Sequence, residues 1–142
     1  RRFRYFLRFD KQYWDLVETA LKEGKQTSIE DELESLKSIV QNIVSDSVIT
    51  FEKVRSIMAH LFAHWTIESA THYKSNNMAK GEDKKLYLLQ PHAAQVMSIM
   101  RCLGFDNTQT STDDSTLFDI DQVHNHLIQI STGEGKSVTL AM

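Results

Sequence analysis

An apolar stretch that runs straight into Thr132-Gly133-Glu134-Gly135-Lys136-Ser137 limits the folds open to this chain more than any other feature. Leu127-Ile128-Gln129-Ile130 reads as a strand, the glycines as a sharp turn, and the residues from about Gly135 as the start of a helix. Gly133 and Gly135 lack a Cβ, so backbone N–H groups can be brought against an anion. The free N–H groups and positive dipole end of the helix would point at the same place. Lys136 supplies a mobile ammonium for β- and γ-phosphates, and Ser137 a hydroxyl of the kind that ligates Mg²⁺. The expected ligand is a nucleotide with Mg²⁺, cradled by Thr132, Gly133, Glu134 and Gly135 and gripped by Lys136 and Ser137. The full phosphate-loop pattern has a glycine six residues before the lysine, where this chain has Ile130. The shorter hexad Thr-Gly-x-Gly-Lys-Ser/Thr arises by chance in roughly one chain of this length in a few thousand. The competing reading is a glycine-rich surface loop after an edge strand.

With Glu134 between its glycines, the hexad resembles that of the SecA-type protein-translocase ATPases; DEAD-box helicases more often place a small residue there. A second segment, Leu88-Leu89-Gln90-Pro91-His92-Ala93-Ala94-Gln95-Val96-Met97, is similar to the family's nucleotide-recognition segment. Pro91 and Gln95 fit that pattern, His92 stands where an aromatic is usual, and Ala93 replaces an Asp. The resemblance covers Leu88 to Met142. It implies that Gln95 reads adenine, which a carboxamide can do by donating to one ring-edge nitrogen and accepting from the exocyclic amine. It also implies a helical N-terminal region over residues 1–85. Residues 86–142 would then begin a RecA-like α/β NTPase domain with its first strand and phosphate loop. The activity implied for the whole protein is ATP hydrolysis coupled to polypeptide translocation, with unfolded polypeptide and a membrane translocation partner as partners. The family separates the Gln from the loop by a short helix and a strand. Here residues 104–124 read as an insertion, and Asn107 to Thr116 is polar, without apolar periodicity, as a surface loop would be.

The rest of the chain reads as helices, so the fold class expected for it as given is mainly α. Phe3, Phe6, Leu7, Tyr13, Trp14, Val17 and Leu21 recur at roughly helical spacing, which predicts a helix from near Phe3 to Glu23 with Gly24 as its stop. Its first half is basic (Arg1, Arg2, Arg4, Arg8, Lys11), which reads either as a solvated face or as a contact for nucleic acid or a membrane surface. Ser28 and Asp31 suggest a capped start for a second helix with the stripe Leu33, Leu36, Ile39, Val40, Ile43 and Val44. Thr50 is placed to cap a third, striped by Val54, Ile57, Met58, Leu61, Phe62, Trp65 and Ile67, and fading near Lys74 before a polar connector at Ser75-Asn76-Asn77. Pro91 suits the first turn of a fourth, with Val96, Met97, Met100 and Leu103 inward and Gly104 at its end.

Composition narrows the setting. The net charge of −3 argues against a nucleic-acid partner. The single cysteine, Cys102, allows no intrachain disulfide and reads as a small core residue, in keeping with a reducing, cytoplasmic location, peripheral to a membrane at most. No apolar run has the length of a membrane span, and the start Arg-Arg-Phe-Arg lacks the apolar stretch of a signal peptide. Few residues follow the loop, so the expectation is an excised piece of a longer motor, without catalytic residues of its own and inactive alone. His60 and His64 stand four apart but lack a third ligand, and His124 and His126 share one face of an extended segment; neither pair is expected to hold a metal. Two other functions fit the same residues: a helical protein-interaction module with a degenerate nucleotide site, and a nucleic-acid helicase of the same superfamily.

Overall fold

The computed structural model describes residues 2–22, 38, 41–42, 45, 49–79, 88–105, 117–118, 123, 125–131 and 135–141. These contain four helices: α1 (Arg2–Lys22), α2 (Phe51–Ala79), α3 (Ala93–Cys102) and α4 (Lys136–Ala141). The chain is mainly α. The second helix expected from Ser28 onward lies largely outside the described residues, as does most of the inserted loop.

Helix α1 packs along α2, and α3 packs against α1 and α4. The packing face of α1 is a row of residues four apart: Tyr5, Phe9, Tyr13 and Val17, all buried. Residues at this spacing form one ridge of a helix and fit between the ridges of a neighbour. Phe9 meets Phe62 of α2 edge-on at 5.7 Å between ring centres. Tyr5 meets Phe105 in the same way at 5.0 Å. Three residues counted toward the inward stripe, Phe3, Leu7 and Leu21, instead stand exposed. The sequence carries two apolar rows on this helix, and the one facing the aromatic side chains of α2 wins.

Helix α2 begins where Thr50 was expected to cap it: the Thr50 hydroxyl accepts the Lys53 N–H at 3.3 Å. Its buried face is Phe51, Met58, Ala59, Phe62, Ala63, Thr66 and Ala70. The helix does not fade at Lys74 but runs through Ser75, Asn76 and Asn77 to Ala79. Once a helix is nucleated, each added residue costs little, so polar residues of modest propensity extend it.

Helix α3 starts two residues after Pro91, so the proline precedes the His92 cap rather than occupying the first turn. Val96 and Met100 are buried inward as expected. Its end is a left-handed glycine cap: Gly104 has φ 78, the Gly104 N–H bonds to the Arg101 carbonyl, and the Phe105 N–H reaches back to the Met100 carbonyl at 3.1 Å. That turn drives Phe105 into the core, fully buried against Tyr5 and Phe51. At the other side of the insertion, Phe118 packs on Phe51 at 5.4 Å and its N–H bonds to the Ile49 carbonyl at 2.7 Å. The inserted segment, residues 104–124, therefore meets the core at Phe105 and Phe118. Cys102, two residues from buried Met100, falls on the opposite face and is exposed, so it is not a core residue.

The expected strand is not formed. Residues 127–131 carry no regular secondary structure, and among the described residues the pairing of extended chain is confined to an isolated antiparallel bridge between Thr50 and Leu117. A strand exists only through hydrogen bonds to a neighbour, and Leu127, almost wholly exposed, has none of the cover that a central strand receives.

A polar chain ties α1 and α2 to the segment that precedes α3. The Tyr13 hydroxyl and Thr66 Oγ1 lie 2.9 Å apart, and the Thr66 hydroxyl donates to the Leu89 carbonyl, also at 2.9 Å. Since Thr66 spends its one proton on Leu89, Tyr13 is the donor to Thr66. Burial raises the Tyr13 pKa above its usual value near 10, and the nearby Asp10 charge adds to the shift. A raised folded-state value means that the unfolded chain loses this proton first as pH rises. The contribution of Tyr13 to stability is thus complete below about pH 10 and is lost above it, up to the higher folded-state value. Urea unfolding of the protein between pH 8 and pH 11 should show stability falling above pH 10, and the fall should be smaller in Tyr13→Phe.

Candidate functional site

The two segments singled out in the sequence meet in the fold. Gln95 occupies the third position of α3, where its Oε1 accepts the His92 backbone N–H at 2.8 Å. A side chain reaching back to its own helix start in this way satisfies a donor that the helix leaves open. The other end of the same carboxamide reaches forty residues on: Nε2 donates to the Gly135 carbonyl at 3.0 Å. Gln95 is 2% exposed, so both bonds are shielded from water.

Gly135 is the hinge on which α4 begins. Its carbonyl accepts the N–H groups of Val138 at 3.1 Å and Thr139 at 3.3 Å, and so ends the loop and opens the helix. Its φ of 70 lies in the left-handed region that only glycine adopts freely. A Cβ at this position would also overlap Gln95 Nε2. The glycine is thus required twice, for its backbone angle and for the close approach of the glutamine. Val138, partly buried, packs against the core and holds α4 near α3.

Lys136 and Ser137 follow at once, and both are exposed. Their polar ends are therefore accessible to a ligand. Thr132, Gly133 and Glu134 lie outside the described residues, so a phosphate loop is not shown. His92, in the place of the family's aromatic, is exposed, as is Ala93. The carboxamide expected to face adenine instead faces protein on both ends; one N–H and the second lone pair of Oε1 remain for anything else. The sequence reading missed this link between Gln95 and Gly135. The only advance signal was the glycine itself, whose need for close approach was read as room for phosphate and also serves a side chain.

Elsewhere, His60 Nδ1 lies 2.8 Å from the Ser56 carbonyl of its own helix. Among the described residues no group of three or more His, Cys, Asp or Glu side chains gathers as metal ligands would. No described helix is long and apolar enough to cross a membrane. No protein-family model matches the chain, and no curated protein or solved structure matches it.

Gly135→Ala should break the link by both routes. A left-handed non-glycine residue costs about 1–2 kcal/mol before any clash is counted. Amide exchange at Val138 and Thr139 is expected to quicken by about tenfold or more, while exchange in α1 and α2 stays unchanged.

Proposed function

We propose that the region around Gln95 and Gly135 is the ATP–Mg²⁺ site of a SecA-like motor, in which ATP hydrolysis by the whole protein drives a polypeptide across or toward a membrane. The observation that carries this reading is the hydrogen bond from Gln95 Nε2 to the Gly135 carbonyl. Gln95, from the segment that resembles a nucleotide-recognition motif, and Gly135, from the glycine-lysine hexad forty residues on, lie side by side. A nucleotide has its base and its phosphates within one molecule, so a base-reading group and a phosphate loop must be neighbours.

In this reading the backbone of Thr132 to Gly135 would wrap the phosphates, Lys136 would neutralise the β- and γ-phosphates, and Ser137 would hold the Mg²⁺. Mg²⁺ supplies charge neutralisation on the phosphate oxygens when bound. Gln95 has two duties in turn: in the free protein it braces the loop through Gly135, and with nucleotide bound it offers its carboxamide to the adenine edge. Because Gln95 is buried, adenine reaches it only when α4 swings away from α3. Base and loop are thereby coupled: a purine that satisfies the glutamine replaces the contact that holds the loop. The same reading gives Leu127 and Leu140, both highly exposed, a parallel sheet to pack against in a complete RecA-like domain.

In a protein carrying the complete domain, Lys136→Ala should weaken ATP–Mg²⁺ binding by a hundredfold or more in isothermal titration. Gln95→Ala should lose the preference for ATP over GTP. Unchanged ATP affinity in Lys136→Ala would refute the assignment.

A further inference from the structure

A second groove lies between α1 and α2, remote in its lining from the Gln95–Gly135 contact. Its volume is about 590 Å³, within the range of small-ligand sites. Four cations, Arg8, Lys11, Lys53 and Arg55, line it against two carboxylates, Asp15 and Glu52. Four minus two leaves an excess of two positive charges, in a chain whose net charge is −3. The excess is therefore concentrated here against the trend of the molecule.

Arg55 gives the groove its geometry. It is 6% exposed, and a buried guanidinium must be paired to be tolerated. Glu52 accepts from Nε at 3.1 Å and from Nη2, and Gln12 Oε1 accepts from Nη1 at 2.8 Å. Gln12 is fixed in turn by donating to Ser56 Oγ at 2.8 Å. A guanidinium has five N–H groups; these contacts use three, one each from Nε, Nη1 and Nη2. Two N–H groups, one on each terminal nitrogen, are left to donate to phosphate oxygens. The side chain is already locked, so a ligand need not spend energy in ordering it. Glu52 and Lys53 also stand in the first turn of α2, a helix of 29 residues whose N-terminal end carries a partial positive charge.

We propose that this groove binds a small phosphate-bearing dianion on Arg55, with Lys11 and Lys53 closing over it. An extended acidic polypeptide fits less well, because Asp15 on the wall interrupts the cationic track that a row of carboxylates would follow. The site is independent of the nucleotide site.

The test is a titration of the protein with pyrophosphate, and separately with inorganic phosphate, followed by backbone amide shifts. Saturable shifts over residues 8–15 and 52–56 are expected, with affinity falling as NaCl is raised. Lys11→Ala should weaken binding severalfold. Arg55→Lys, which keeps the charge and loses the guanidinium, should weaken it as well. Absence of saturable shifts in the groove, shifts confined to Lys136–Thr139, or unchanged affinity in either folded variant would overturn the proposal. Pyrophosphate binding without phosphate binding would support it and place the ligand among diphosphates; binding of both would support it for phosphate groups in general.

Discussion

Four side chains on one ridge of α1 hold this structure together. Tyr5, Phe9, Tyr13 and Val17 put a continuous apolar row against α2, and three of them are aromatic. Each such side chain contributes about 1.5–3 kcal/mol on burial, and edge-on ring pairs such as Phe9–Phe62 and Tyr5–Phe105 add about 0.5–1.5 kcal/mol beyond area. The polar handle of one member decides what else joins. Tyr13 can be buried because Thr66 takes its proton, and Thr66 can be buried because Leu89 takes the next. That second step fixes the chain just before α3. The glycine cap behind α3 then sends Phe105 back to the ridge. The short helix is thus held at both ends, and it adds Val96 and Met100 to the core between them.

From there the order passes to the glycine loop. The position of Gln95 follows from α3, and the position of Gly135 follows from Gln95. This hierarchy explains why a six-residue helix, too short to be stable alone, is found docked: Val138 supplies an apolar contact and the buried carboxamide a directional one. It also separates the two ligand sites by mechanism. The proposed nucleotide site would depend on a weakly held element that yields to its ligand. The groove on Arg55 is built into the α1–α2 interface and tied by the Gln12 hydrogen bonds.

Much of this was legible in the sequence, and the exceptions share a cause. The span of α1 followed from apolar spacing, and the glycine read as its stop lies outside the described residues. The buried face of α1 did not follow, because Phe3 and Leu7 make as good a row as Tyr5 and Phe9 until α2 chooses between them. Thr50 was readable as a cap because capping is local, whereas the extension of α2 through Asn76 and Asn77 reflects propagation from a helix already stabilised elsewhere. Phe105 and Phe118 were lost in polar surroundings because lone aromatic residues have no period. The strand at Leu127–Ile130 was inferred from composition, yet a strand is a relation between segments and no described segment pairs with it. In the candidate site, the residue types were evident and the contact between Gln95 and Gly135 was not, since nothing in a sequence states which side chain will use the space a glycine leaves.

The account rests on one carboxamide joining a helix start to Gly135, in the hexad proposed to hold phosphate. The most direct measurement is the side-chain amide signal of Gln95 in a protein carrying the complete domain, followed as ATP–Mg²⁺ is added. The account predicts a cross-relaxation contact between the Gln95 side-chain protons and Gly135 in the free protein. On titration that contact should give way to one with the adenine ring, at the same concentration at which the Lys136 and Ser137 amides shift. Loop amides that respond to nucleotide while the Gln95 signal stays fixed, or no contact with Gly135 at the outset, would contradict it.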